Sequence, residues 1–95
     1  MRAAIVKTVT IDPARQTEAD EGLLNQVVPM CQALSGYVTS LHVGSPDGTR
    51  GIGIIVFETE ESARVAAEAM TTNAPPPGAP VVIDSSEVWR VAYSE

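Results

Sequence analysis

Residues 51–70 read GIGIIVFETEESARVAAEAM, and this stretch decides the fold. The apolar run Ile52–Phe57 has the length and β-branched content of a strand. It passes without a loop into Glu58-Thr59-Glu60-Glu61, a helix start in which Thr59 suits the N-cap and the glutamates complement the helix dipole. The small residues Ala63, Ala66 and Ala67, with Met70, recur at helical spacing and allow close approach to a sheet. A strand that feeds a helix directly is half of a split βαβ unit.

Working outward, Arg2–Ile11 suits a first strand, and Asp12-Pro13 ends it because proline moves the preceding residue out of helical geometry. From Thr17 to Leu34, Leu23, Leu24, Val27, Val28, Cys31 and Leu34 form an amphipathic helical stripe. Pro29 falls inside it and predicts a kink, since the stripe continues past it in register. Gly36 fits the left-handed residue that closes many helices. Tyr37–Val43 reads as the second strand and Ser45–Thr49 as a turn. With the turn centred on Asp47-Gly48, Leu41 opposes Ile54 and His42 opposes Gly53. One face then holds Tyr37, Thr39, Leu41, Val43, Ile52, Ile54 and Val56. The other holds Val38, Ser40, His42, Gly51, Gly53, Ile55 and Phe57. After the second helix, TNAPPPGAP (72–80 with its flanking threonine) forms an irregular connector. Val81–Ile83 and Val88–Tyr93 close the sheet as one strand interrupted near Asp84.

The order is an α+β, ferredoxin-like βαββαβ domain with an antiparallel sheet, and residues 1–95 make a single domain. The third strand does not alternate apolar with polar, which predicts burial of both its faces. Two helices cover one face. The other calls for a second copy of the chain.

Composition narrows the function classes. Six Lys and Arg stand against twelve Asp and Glu, a net charge of −6, with no basic cluster. Phosphate backbones are bound through cations, so nucleic acid is not an expected partner, and neither is an anionic membrane. The opening residues alternate and soon turn charged, which leads us to expect a cytoplasmic protein. Cys31 is the sole cysteine and reads as a buried structural thiol. No metal site is expected: Glu58, Glu60 and Glu61 lack a histidine or aspartate at ligand spacing. Gly51-Ile52-Gly53 lies inside a strand and lacks the Lys-Ser/Thr of a phosphate loop.

The run GIGIIVFETEESA, preceded by VVPMCQALSGY and followed by SSEVWRVAY, resembles the antibiotic biosynthesis monooxygenase-like superfamily of dimeric α/β-barrels. In that family the third strand ends in an aromatic followed by Glu and an acidic helix start, as Phe57-Glu58-Thr59-Glu60-Glu61 does. The resemblance spans nearly the whole chain and rests on structural motifs. It implies a homodimer formed through the sheet face and a cavity for a small organic molecule. The family includes cofactor-independent oxygenases of aromatic polyketides and haem-degrading monooxygenases. The haem degraders use an Asn on the first strand, a Trp at the end of the third and a His on the second helix. Here those places offer Lys7 and Thr8, Phe57, and a helix without histidine, so no haem and no other cofactor is expected.

Two readings stand at this point. One is a protein binding an apolar or aromatic organic molecule, acting as a cofactor-independent monooxygenase-like enzyme. The other is a non-catalytic dimeric barrel with a structural or ligand-sensing role. No catalytic residue is assigned. The candidate pocket residues are His42, Ser40, Gly53, Phe57, Met70 and Trp89, with His42 as the polar group and Phe57 and Met70 as walls against the second helix. His42 also reads as a structural strand histidine at the sheet edge or partly exposed, and Trp89 as a core or dimer contact. Lys7 could neutralise an acidic ligand, but its place on the first strand reads rather as a strand-end lysine facing water. An open cavity reaching His42 favours the first reading, and one plugged by Phe57, Met70 and Trp89 favours the second.

Overall fold

A computed structural model describes residues 1–93 of the chain. The strands are β1 (Ala3–Ile11), β2 (Tyr37–Gly44), β3 (Arg50–Phe57) and β4 (Val81–Arg90). They form one antiparallel sheet in the order β2-β3-β1-β4. This is the ferredoxin-like arrangement, with the two central strands contributed by different halves of the chain. Between β1 and β2 a continuous helical run comprises a short turn at Pro13–Arg15, α1 (Gln16–Gly22), a wide π turn at Leu23–Val27 and α2 (Val28–Ala33). The last helix is α3 (Glu60–Thr72). No helix among the described residues is long and apolar enough to cross a membrane.

Pro29 is absorbed rather than resisted. A proline in a helix has no N–H to donate and crowds the carbonyl four residues earlier, here that of Asn25. The π turn lies directly upstream and closes with Val28 N–H donating to the Leu23 carbonyl. Such widened turns relieve a local mismatch without ending the helix. The helical run therefore carries its apolar stripe through to Cys31, which is fully buried.

The hairpin register is the one the Asp47-Gly48 turn predicts, with Leu41 opposite Ile54 and His42 opposite Gly53. The turn is closed by Asp47 Oδ1, which accepts from Ser45 Oγ, Thr49 N–H and Thr49 Oγ1. Gly48 supplies the positive φ of +75°. At the opposite end the register shifts between Tyr37 and Thr39. The extra residue, Val38, reverses the parity of the strand. Tyr37 consequently pairs with Phe57 and packs edge-on against its ring, 6.4 Å between centroids. The alternation from Leu41 had placed Tyr37 on the other face, and the bulge corrects that.

The core lies between the sheet and the helices: Ala3, Ile5, Cys31, Ile55, Phe57, Ala63, Ala66 and Met70. Thr59 caps α3, its hydroxyl accepting from Ser62 N–H at 3.0 Å. Gly36 sits at φ +82°, where a Cβ would fall 2.7 Å from Ser62 Oγ. That close approach lets the Gly36 carbonyl accept from Glu58 N–H at 2.8 Å and ties the two βα halves together. Among the described residues nothing covers the sheet's other face. Leu41, Val43, Ile52 and Ile54 are 60, 48, 43 and 36 % exposed along it.

β4 is one strand, and its irregularity is a bulge. Ser85 pairs with Thr8 and Ile83 with Val9, leaving Asp84 over. Trp89 pairs with Ala4 and therefore lies on the uncovered face, more than half exposed.

Candidate functional site

The inner face of the sheet is small at its loop end. Gly51 and Gly53 occupy inward positions on β3, and their neighbours approach the space that side chains would fill. A Cβ on Gly53 would lie 3.1 Å from His42 Nδ1 and 3.7 Å from Lys7 Cε; one on Gly51 would lie 3.0 Å from Val9 Cγ2. Both glycines are buried without filling volume. Above them is a cavity of about 890 Å³.

Three elements line it, leaving it open on one side. The sheet contributes Lys7, Val9, His42, Gly51, Gly53 and Ile83; the helical run contributes Leu23, Val27 and Met30; and the connector contributes residues 74–80. Met70 adds the end of α3. The connector is held in place by Arg15, whose Nη1 donates to the Gly78 carbonyl at 2.7 Å, and by Asp12 N–H donating to the Pro80 carbonyl at 2.8 Å. Three prolines in a row stiffen this wall, because each fixes its own φ.

Of the residues singled out in the sequence, the structure brings His42, Gly53 and Met70 together on this cavity. The other three lie elsewhere. Ser40 is within hydrogen-bonding reach of the Tyr37 hydroxyl, 3.2 Å away. Phe57 is fully buried in the core against Tyr37, at the far end of β3. Trp89 is on the opposite side of the sheet and plugs nothing, because its pairing with Ala4 sets its parity. The walls also differ from expectation: they come mainly from the first helical run and the connector, with α3 giving only its end.

Lys7 departs most from its expected place, that of a strand-end lysine facing water. It lies mid-strand on β1, opposite Gly53 and on the same face as the buried Ile5. It therefore points inward beside His42 rather than to water. The available signal was parity: Ala3, Ile5, Lys7, Val9 and Ile11 share one face of a strand.

The electrostatics follow from that placement. Burial lowers the Lys7 pKa below its ordinary value. Burial, and then the positive charge of Lys7, lower that of His42. The Cys31 thiol is pushed up by burial, which keeps it protonated and unreactive. His42 is thus a neutral imidazole at physiological pH, with one nitrogen able to accept a proton. Its Nε2 is buried and has no hydrogen-bond partner among the described residues.

This geometry can be set beside known proteins. No family model matches the sequence, and no curated protein matches it. Solved structures do. SnoaB, a cofactor-independent oxygenase from Streptomyces nogalater, is similar with a TM-score of 0.66 and 14 % identity, over 98 % of this chain and 95 % of that one. The chain has the fold of the antibiotic biosynthesis monooxygenase-like proteins. The monooxygenase ActVA-Orf6 of Streptomyces coelicolor, solved with nanaomycin D, is similar with a TM-score of 0.56 and 23 % identity, over 99 % and 91 % of the two chains. MhuD, a haem degrader from Mycobacterium tuberculosis solved with two haems in its active site, gives 0.72 and 10 %, over 98 % of each chain. At these identities the shared property is the fold.

Proposed function

We propose that the protein binds a small, mostly apolar or aromatic organic molecule in this cavity and oxygenates it without a cofactor. The observation that carries the reading is the cavity itself, roomy, walled largely by apolar side chains and reaching a neutral His42 beside Gly53. Ligand sites are typically apolar hollows with a few placed polar groups. The cofactor-independent oxygenase SnoaB, similar in fold, supports the reaction class. A side-chain-filled, non-catalytic barrel is disfavoured because Phe57 and Trp89 leave the cavity open.

Chemistry without a cofactor needs a substrate that supplies its own electrons. A methylene flanked by aromatic rings or carbonyls has an acidic C–H. Its proton passes to His42 as general base, and the carbanion left behind reduces dioxygen. The net change, CH2 + O2 to C=O + H2O, balances with the substrate as reductant. The apolar walls shield the carbanion from reprotonation by water.

A thermal-shift screen that includes aromatic polyketides and haem tests binding, and oxygen uptake with an anthrone-type hit tests the reaction. Gly53→Val is expected to abolish both while leaving the fold intact. Gly53 has no positive φ that would bar a side chain, but the added carbons would displace His42 and occupy the cavity floor. Full oxygen uptake by a folded Gly53→Val protein would exclude this cavity as the site.

Added hemin is expected to survive in the presence of a reductant. The positions that serve haem degradation in the family hold Lys7, Thr8 and Phe57 here, and α3 has no histidine. Loss of the Soret band with catalase present would contradict this.

The same reading includes assembly: the protein pairs with a second copy of itself through Leu41, Val43, Ile52, Ile54 and Val56, as the exposure of that face supports.

A further inference from the structure

Lys7 is the chain's only lysine, and the fold sets it on the inner face of a central strand, over a glycine floor and inside the cavity. The ion pairs among the described residues are Arg15–Glu18 and Arg64–Glu60, and neither involves it. This is notable in a chain with twice as many acidic as basic residues. Three acids, all on α1, line the cavity along with Lys7, and none of them forms an ion pair with it. Glu18 is paired with Arg15, Asp20 accepts from Gln16 Nε2 at 2.9 Å, and Glu21 is exposed. The other titratable neighbours, His42 and Cys31, are both held neutral. A cation withdrawn from water is costly unless it is paired, and nothing in the described protein pairs with Lys7.

We infer that the ligand supplies the missing counter-charge: the cavity selects molecules that place one anionic oxygen, of a carboxylate or an ionised phenol, against Lys7 on an otherwise apolar skeleton. This rests on the cavity-binding reading above and adds a specificity-determining residue to it. An ammonium in a low-dielectric site discriminates strongly between a carboxylate and a neutral group of the same shape. The apolar walls take the uncharged remainder of the molecule.

The test uses the full chain and three probes of one size: anthracene-2-carboxylate, anthracene-2-carboxamide and 2-anthrol, each titrated calorimetrically. The carboxylate is expected to bind roughly tenfold or more tightly than the carboxamide. Lys7→Met should erase that preference and Lys7→Arg should retain much of it. A Lys7-dependent preference for 2-anthrol over the carboxamide would assign the oxygen to a phenol. A single lysine also gives a single side-chain signal in protein labelled with 13C at lysine Cε. That signal should move with the carboxylate and not with the carboxamide, a readout that needs no variant. Equal affinity for all three probes, or a bound carboxylate that leaves the lysine signal in place, overturns the inference while the cavity-binding reading survives. Binding of none of the probes overturns both.

Discussion

Ile54→Lys is expected to convert the protein from a dimer into a folded monomer. Ile54 points away from the helices on β3, where buried Gly53 and Ile55 flank it in sequence. A lysine there meets no core atom of its own chain, so folding is spared. Across a pair of sheets the effect is large. Burying the exposed fractions of Leu41, Val43, Ile52 and Ile54 on both copies is worth on the order of 5–10 kcal/mol. Association itself costs about 4–15 kcal/mol, so the balance is narrow and Trp89, on the same face, matters to it. Introducing an ammonium on each copy, desolvated and without a carboxylate opposite, costs several kcal/mol more. Sedimentation should find the wild type at twice the chain mass at micromolar concentration and Ile54→Lys at the chain mass, with unchanged circular dichroism. A wild-type monomer would remove the dimer reading. A dimeric Ile54→Lys protein would move the interface to another face.

The second large effect belongs to the core. Phe57→Ala is expected to lower stability by about 3–5 kcal/mol, a large part of the 5–15 kcal/mol available to a domain of this kind. Phe57 is fully buried among Ile5, Ile55, Ala63 and Ala66 and meets the edge of Tyr37. The surrounding alanines are too short to close over the hole. Phe57→Leu keeps most of the volume and should cost much less. Guanidinium titrations of the three proteins give the comparison directly. A loss below about 1 kcal/mol for Phe57→Ala would mean that the ring lines open space, as expected of a pocket wall.

These two residues, three apart on one strand, show how far local pattern reaches. The sequence assigned Ile54 to one face of β3 and Phe57 to the other, and both assignments hold, because alternation along a strand is a local property. It also supported the strand-to-helix junction, the Thr59 cap and the left-handed Gly36, each set by residues a few positions apart. The hairpin register followed from the turn residues for the same reason. From these local features the ferredoxin-like order can be assembled.

What tertiary structure alone decided is everything that depends on a partner distant in sequence. A one-residue bulge at Val38 reversed the side on which Tyr37 lies, and no local pattern announces where a strand slips against its neighbour. Trp89 took its face from pairing with Ala4, eighty-five positions away in the chain. The cavity walls came from the first helical run and a proline connector that Arg15 holds down, so Phe57 and Ser40 fell outside. Lys7 is the clearest case. Its position on β1 put it in line with Ile5 and Val9, but whether that line meets water or a hollow depends on what is packed above it. Only the folded chain forms that hollow, and with it the surroundings that lower the lysine's pKa and leave it without an ion-pair partner among the described residues.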